Sequence, residues 1–322
     1  IESRYFTYLA TGQISKNMIA TFWHGLNAIK AGASRPQNIA KYKTTKVAVL
    51  GAGMMGAGIA YVTASRGIQV ILKDVSLETA EKGKAYSQKI LDKKVTQGRM
   101  TAEQRDQVLN LITATATCED LQGCDLMIEA VFENPALKAQ VTQEVEPYLL
   151  HDGVMASNTS TLPIGELAQA SKNEANFIGL HFFSPVDKMQ LVEIIKGQNT
   201  SPETLAKAFD FVQQIGKTPI VVNDSRGFFT SRVFGSFVQE GLRLLAEGVH
   251  PARIEMAALK AGMPVGPLAI QDEVSLTLSE HVAAETRKAL RAEGKDLPHS
   301  AADEVIDRMI HQFQRHGKAA GA

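Results

Sequence analysis

The chain has 322 residues, with 34 Lys and Arg against 34 Asp and Glu, so its formal net charge is zero. This balance excludes an electrostatic preference for nucleic acid or for an anionic membrane surface. At about 150 residues per domain the length predicts two domains, and no apolar run reaches the roughly 18 residues of a membrane span. Two cysteines, Cys118 and Cys124, predict neither a disulfide framework nor a metal site, and they favour a reducing, cytoplasmic compartment.

Residues 1 to about 30 are predicted to form one amphipathic helix, because their apolar side chains recur at helical spacing. The segment AGASRPQNIAKYKTT follows and is typical of a linker. The helix is either the first helix of the domain or a connector from an upstream domain, and the linker length favours the connector. The chain begins at Ile1 and stops at GKAAGA, so we expect a piece of a longer protein, with residues 1–45 as linker helix and connector.

From Lys46 the pattern changes to strands that alternate with helices. Five apolar runs are predicted strands: KVAVL, IQVILKD, CDLMIEAV, GVMASN and NFIGLHFF. Residues 77 to about 113 are predicted to be a helical hairpin broken at Gly98. The alternation indicates a doubly wound, parallel Rossmann-type sheet, closed by QLVEIIK and TPIVVND. We therefore predict an α/β domain over residues 46–224, followed by an all-α domain over residues 225–322.

A glycine-rich turn follows the first predicted strand and opens a helix. Its residues are Gly51, Gly53, Met54, Met55 and Gly56, in the pattern G-x-G-x-x-G. In that context the glycines permit a tight turn, close approach of a pyrophosphate and packing of the helix on the strand. Asp74 ends the next strand, where a carboxylate accepts from the adenosine ribose and repels a 2′-phosphate, which favours NAD over NADP. The alternative is a structural glycine turn beside a surface aspartate.

Two residues of the later strands have the chemistry of a base and its partner. His181 is the one histidine of eight at the end of a predicted sheet strand, where ligands of doubly wound folds bind. Glu193 lies in the apolar stretch QLVEIIK, and a buried carboxylate needs a hydrogen-bonding partner. We expect Glu193 to orient His181, which would remove a hydroxyl proton during hydride transfer. The alternative is a core histidine and an edge-strand glutamate that are unrelated.

Polar residues near two other strand ends are further candidates. Ser160, in ASNTSTLP, could bind a substrate oxygen or cap the helix that follows. One of Glu129 and Glu133 is expected to touch the cofactor, although helix N-terminal placement explains both equally well.

The order of five motifs resembles the L-3-hydroxyacyl-CoA dehydrogenase family. They are KVAVLGAGMMGAGIA, LMIEAVFEN, ASNTSTLPI, GLHFFSPVDKMQLVEIIKG and GKTPIVVNDSRGFF, within residues 46–275. The first 45 residues and SRGFFTSRVFG resemble the multifunctional α-subunit of the fatty acid β-oxidation complex, in which an enoyl-CoA hydratase domain precedes a helical linker. The resemblance implies NAD-dependent oxidation of L-3-hydroxyacyl-CoA to 3-ketoacyl-CoA. It also implies that the hydratase domain and the end of the C-terminal helical region are absent from this chain.

The resemblance also implies roles for individual residues. His181 would be the base, Glu193 its partner and Ser160 a ligand of the substrate oxygen. Cofactor contacts are implied for Asp74, Glu133, Lys138, Ser160, Ser184 and the amide of Ala130. Contacts with the substrate are implied for Ser87, Lys94, Ser160 and Ser231.

Two of these positions depart from the family pattern. Many members have Asn where this chain has Ser184 and Ser231. A serine has a shorter reach than an amide and a single donor, so contacts there would be bridged by water or missing.

Two other functions remain open. Another β-hydroxyacid dehydrogenase would share the glycine turn and a helical second domain, but would use a catalytic lysine in place of the His–Glu pair. An NAD- and acyl-CoA-binding assembly module with little turnover would dock a hydratase domain and a thiolase subunit through its amphipathic first helix. A homo-oligomer is compatible with either function.

Overall fold

The computed structural model describes residues 1–292 and 294–317. The chain divides into two compact units, Ile1–Phe229 and Thr230–Ala322. The predicted boundary after residue 224 directly follows the last strand of the first unit, and the unit itself continues to Phe229. Within the described ranges, no helix combines the length and the apolar character needed to cross a bilayer.

The first unit contains an eight-stranded sheet. Its strands are β1 (Lys46–Leu50), β2 (Gln69–Lys73), β3 (Ile112–Thr115), β4 (Cys124–Glu129), β5 (Leu149–Ser157), β6 (Phe177–Phe182), β7 (Leu191–Lys196) and β8 (Thr218–Asn223). They lie in the order β3-β2-β1-β4-β5-β6-β7-β8. Neighbouring strands are parallel, except that β7 is antiparallel to β6. The Rossmann-type sheet and its closing pair of strands are therefore confirmed.

Helices flank the sheet and form most of the second unit. Those of the first unit are α1 (Glu2–Thr11), α2 (Gln13–Met18), a π-helical turn (Ile19–Gly25), α3 (Leu26–Lys30), α4 (Met54–Ala64), α5 (Leu77–Thr96), α6 (Ala102–Asn110), α7 (Pro135–Val145), α8 (Ile164–Ala168) and α9 (Pro202–Gln214). Those of the second unit are α10 (Thr230–Ala246), α11 (Pro251–Lys260), α12 (Pro267–Val274), α13 (Leu276–Ala292), α14 (Ala301–Asp307) and a π-helical turn (Arg308–Gln312). The all-α character predicted for the second unit is confirmed.

Each unit has its own hydrophobic core. Along β1 the side chains alternate: Val47 and Val49 belong to one buried cluster, Ala48 and Leu50 to another. The sheet is thus covered on both faces, which explains why its strands are near-continuous apolar runs. In the second unit, Leu242 of α10 packs with residues of α13 and α14.

The edge strand β3 was not predicted. Residues 77 to about 113 were expected to be entirely helical, and α5 and α6 account for most of them, with Gly98 at φ +66° between the two helices. Ile112–Thr115 instead pairs in parallel with β2. This four-residue segment has one deeply buried apolar side chain, Ile112, so its strand pairing comes from tertiary context more than from local pattern.

The first 30 residues are helical, but they do not form the one continuous helix that was expected. Gly12 interrupts them in an extended conformation (φ −67°, ψ 162°) between α1 and α2. Many of their apolar side chains are exposed, among them Phe6, Phe22 and Trp23. The chain therefore presents an apolar helical surface at this end.

Residues 31–45 form a fixed segment rather than a loose linker. Arg35 donates from Nε and Nη2 to the two carboxylate oxygens of Asp210 on α9, each at 2.8 Å. Asp210 also accepts from the backbone N–H of Tyr42 at 2.9 Å. At the end of the segment, Asp125 of β4 accepts from the Tyr42 hydroxyl and from Thr45. These contacts fix the path by which the N-terminal helices join β1.

Replacing Asp210 with Asn should lower the free energy of unfolding by about 3 kcal/mol, because it leaves a buried guanidinium without its counter-charge. The side chains of Arg35 and Asp210 are only 9% and 3% exposed. Chemical denaturation followed by circular dichroism measures the loss. Lys82→Ala, which breaks the exposed pair with Glu78, is the control and should cost less than about 0.5 kcal/mol. An Asp210→Asn loss no larger than that of the control would contradict fixation of the segment through Arg35.

Candidate active site

The glycine-rich turn joins β1 to α4, and two of its three glycines lie too close to neighbouring backbone atoms to carry a side chain. Gly51 has φ +98°, and a Cβ there would lie 2.8 Å from the carbonyl oxygen of Ala130. A Cβ at Gly56 would lie 1.8 Å from the carbonyl oxygen of Gly51. At Gly53, by contrast, a Cβ would meet nothing within 4 Å. Two glycines thus serve close packing, and the third leaves open space above the turn.

This turn has the properties of a diphosphate site. No side chain caps the first turn of α4, so its backbone N–H groups and the positive end of the helix remain for an anion. Met54 is exposed and Met55 is partly buried in this turn. The open space at Gly53 gives a pyrophosphate room to approach the backbone. These residues therefore fit the dinucleotide that the sequence predicts.

Asp74 lies beside the glycine turn, at the end of β2. Its Oδ2 accepts from the backbone N–H of Ala52 at 2.6 Å, and its Oδ1 from that of Val75 at 2.7 Å. The carboxylate thus supports the turn. Each carboxylate oxygen has a second lone pair, so Asp74 can still accept from a ribose hydroxyl.

The backbone amide of Ala130 does not match the role implied for it. It donates to the carbonyl oxygen of Leu50 at 2.8 Å, continuing the ladder between β1 and β4. A donor bonded within the sheet is not free to bind a cofactor. The expected amide contact is wrong in this conformation.

His181 and Glu193 lie directly opposite each other on the antiparallel strands β6 and β7. His181 Nδ1 is 2.7 Å from Glu193 Oε2, and both side chains are buried, Glu193 completely. The other carboxylate oxygen accepts from the backbone N–H of Phe229 at 3.1 Å. An ionised carboxylate only accepts, so with Glu193 ionised the geometry favours Nδ1 as the donor and a neutral imidazole with Nε2 as the acceptor. The predicted pairing of these two residues is confirmed.

Glu129, the last residue of β4, and Glu133, four residues later, have different surroundings, although one lysine contacts both. Glu129 is buried and accepts from Lys138 Nζ at 2.9 Å, from Ser157 Oγ and from the backbone N–H of Val131. Glu133 is 35% exposed, and its Oε2 lies 3.2 Å from Lys138 Nζ. Lys138 is itself buried. Of the two carboxylates, Glu133 is the one that a ligand can reach.

Glu133 holds the loop that carries Ser160. Its Oε1 accepts from Thr159 Oγ1 at 2.6 Å, from the Ser160 backbone N–H at 2.9 Å and from Ser160 Oγ at 3.3 Å. Although burial raises the pKa of Glu133, the Lys138 charge and these hydrogen bonds lower it more, so its pKa lies below the usual value and the group is ionised. Ser160 is exposed at this position.

The capping alternative for Ser160 is wrong. Helix α8 begins after Pro163, which provides no side-chain cap. The backbone N–H groups of Ile164 and Gly165 instead donate to the two carboxylate oxygens of Asp224, at 2.9 and 2.7 Å. Ser160 is therefore not used as a helix cap.

Asn158, directly after β5, was not among the predicted site residues. Its Oδ1 accepts from the backbone N–H of Phe182 at 2.9 Å, which ties the end of β5 to the end of β6. The loop of Ser160 is thereby joined to the strand of His181. A polar residue directly after a buried strand was the available signal.

The remaining predicted residues lie in separate places. Ser184 donates from Oγ to Met54 Sδ at 3.6 Å, so it lies at the glycine turn. Ser87 is fully buried on α5, and its Oγ has no partner among the described residues, so it presents nothing to CoA in this conformation. Lys94 donates to the Tyr61 hydroxyl at 2.7 Å. Ser231 lies in the first turn of α10, in the second unit.

Taken together, the first unit is an NAD-type dinucleotide-binding domain with a His–Glu pair, and comparisons with known proteins agree. A family model described as 3-hydroxyacyl-CoA dehydrogenase, NAD binding domain, matches residues 46–225. A second, described as 3-hydroxyacyl-CoA dehydrogenase, C-terminal domain, matches residues 227–322. The chain belongs to the 3-hydroxyacyl-CoA dehydrogenase family and contains both of these domains. The predicted family, fold class and NAD cofactor are confirmed.

Individual relatives agree with this assignment. The fatty acid oxidation complex subunit alpha of Shewanella halifaxensis (strain HAW-EB4) is 39% identical over 294 residues, which are 90% of this chain and 41% of that protein. The chain thus spans about two-fifths of the length of this relative. The crystal structure of (S)-3-hydroxybutyryl-CoA dehydrogenase PaaH1 from Ralstonia eutropha is similar, with 30% identity and a TM-score of 0.79 over 87% of this chain and 98% of that one. The 3-hydroxybutyryl-CoA dehydrogenase of Escherichia coli K12 has 31% identity and a TM-score of 0.78, over 87% of this chain and 59% of that one.

Alanine at Gly56 and at Gly53 should have different effects. At Gly56 the new methyl would overlap the Gly51 carbonyl, so we expect destabilisation of about 3 kcal/mol, on the scale of overpacking, together with loss of NADH binding. At Gly53 the methyl has open space in the free protein, so stability should be unchanged while NADH binding weakens. Thermal unfolding and NADH fluorescence titration measure the two effects. Unimpaired NADH binding by Gly53→Ala would contradict a diphosphate above this turn.

Proposed function

We propose that the chain oxidises an L-3-hydroxyacyl-CoA to the 3-ketoacyl-CoA with NAD. The buried hydrogen bond between His181 and Glu193 carries this proposal. His181 lies near the carboxyl end of β6, at the same edge of the sheet as the carboxyl ends of β1 and β5, which carry the glycine turn and the Ser160 loop. Family membership supports the choice of substrate class.

The pair performs the proton half of the reaction. NAD, when bound, supplies the hydride acceptor. His181 Nε2 takes the proton of the substrate hydroxyl, because Nδ1 is held by Glu193. The carboxylate stabilises the imidazolium that results, and its second oxygen remains bonded to the backbone N–H of Phe229. Both side chains of the pair are buried, so the imidazolium forms largely away from bulk water.

Ser160 orients the substrate oxygen from the neighbouring loop. Its hydroxyl contacts Glu133 at 3.3 Å, a weaker bond than the 2.9 Å contact of its own backbone N–H. The hydroxyl can therefore turn to a substrate oxygen while the loop stays attached. Lys138 is buried and bonded to Glu129, so it acts on the cofactor through Glu133 rather than by direct contact.

The whole protein is proposed to be part of a multifunctional fatty acid β-oxidation subunit. The likeness to the Shewanella halifaxensis subunit and the exposed apolar helices of the first 30 residues support this context. An enoyl-CoA hydratase domain and a thiolase subunit are the proposed partners, and the cytoplasm is the proposed location. The same exposed helices favour the second candidate, an assembly module with little turnover.

A reductive assay separates these candidates. The purified chain, mixed with acetoacetyl-CoA and NADH, should consume NADH, and NADPH should be a much poorer substrate because Asp74 repels a 2′-phosphate. His181→Ala should lower kcat by at least about 10²-fold, the scale of a general acid–base group. His151→Ala is the matched control, since His151 is exposed on β5, and should leave kcat unchanged. NADH binding without turnover would contradict the dehydrogenase and favour the assembly module.

A further inference from the structure

The loop between β6 and β7 connects the two strands of the His181–Glu193 pair. It comprises residues 183–190 and is called here the β6–β7 loop. Within it, the backbone N–H groups of Lys188 and Met189 both donate to the carbonyl oxygen of Pro185 at 3.0 Å. The loop is therefore continuous with the strand of His181 on one side and with the strand of Glu193 on the other.

Lys217, the residue directly before β8, holds this loop. Its Nζ donates to the carbonyl oxygens of Val186 and Met189, each at 2.6 Å. The residue is 8% exposed. Burial lowers the pKa of Lys217, and the charge of Asp187 opposes that shift without cancelling it. A buried ammonium is expensive, so its retention at two uncharged carbonyls indicates a role that an apolar side chain would not fill.

The other side of the loop rests on the dinucleotide-binding helix. Val186 is buried against α4 at Gly58, where an added Cβ would lie 2.8 Å from Val186 Cβ. Ser184 reaches Met54 in the glycine turn. The Tyr86 hydroxyl of α5 donates to Asp187 Oδ1 at 3.2 Å. The loop is therefore clamped between Lys217 on one side and α4 on the other.

We propose that Lys217 is a positioning residue that sets the spacing between the dinucleotide-binding turn and the His181–Glu193 pair. It acts through the β6–β7 loop and touches neither substrate nor cofactor. The inference rests on the proposed function, because it assigns the loop to the same reaction. Its direct consequence concerns NAD affinity, since the loop contacts α4 and its glycine turn.

Lys217→Met tests this role, because it keeps the apolar stem and removes the three donors. We expect the NADH Kd to rise about tenfold, equivalent to ~1.4 kcal/mol, with an unchanged binding stoichiometry. The KM for acetoacetyl-CoA should stay within about twofold of the wild-type value. A larger change in KM would indicate an effect on substrate binding, which the proposal does not assign to Lys217. A merely structural lysine would lower the fraction of folded protein without altering the Kd. Lys207→Met is the matched control: Lys207 bonds the carbonyl and carboxylate of Asp152 and should leave the NADH Kd unchanged.

A second variant and a cofactor-free readout complete the test. Gly58→Ala pushes on Val186 from the opposite side and should raise the NADH Kd in the same way. In the free protein, hydrogen exchange at the Lys188 and Met189 amides should accelerate in Lys217→Met. A folded Lys217→Met with wild-type Kd and exchange would overturn the proposal. If that variant does not fold, a wild-type Kd in Gly58→Ala overturns it. The NADH Kd and hydrogen exchange are measured without turnover, so they test the role of Lys217 separately from the reaction. Absence of turnover in the wild-type chain would count against the proposed function and not against the role of Lys217.

Discussion

The antiparallel pairing of β7 with β6 places two polar side chains opposite each other among the apolar side chains of these two strands. Lone burial of either His181 or Glu193 would cost several kcal/mol, so each side chain is kept there by the other. Strands β1, β4, β5 and β6 are parallel, and their carboxyl ends lie at one edge. The glycine turn follows β1 at that edge, the Ser160 loop follows β5, and His181 lies near the end of β6. The active site is thus a consequence of strand direction and of a single register.

Much of the fold could be predicted because its signals are local. Apolar runs, a glycine turn and helical periodicity predicted seven of the eight strands and the helical second unit. β3 was not predicted because Ile112–Thr115 is only four residues long and two of them are threonines, and because it pairs with a strand 42 residues earlier, with Val70 opposite Ile112. The fixed path of residues 31–45 was not predicted either, because its partners are also distant in the sequence. In the sequence Arg35 is indistinguishable from any other linker residue, because its partner Asp210 lies 175 positions later.

The site could be predicted where a buried polar group needed a hydrogen-bonding partner and the sequence offered one suitable residue. A carboxylate among Leu, Val and Ile needed a donor, which led from Glu193 to His181. Such reasoning could not decide which groups are already bonded within the fold. The Ala130 amide is part of a strand ladder, and the helix cap that was the alternative role for Ser160 is supplied by Asp224, 64 residues later. Ser87 is hidden by packing that no local pattern records.

The tautomer of His181 is the most direct measure of the central claim, that Glu193 orients this imidazole as a base. Nitrogen-15 NMR of histidine-labelled protein, recorded over a series of pH values, distinguishes the two ring nitrogens and shows which of them carries the proton. We expect a proton on Nδ1, a bare Nε2, and loss of this preference in Glu193→Gln. His181 protonated on Nε2, or a preference unchanged in Glu193→Gln, would contradict that claim.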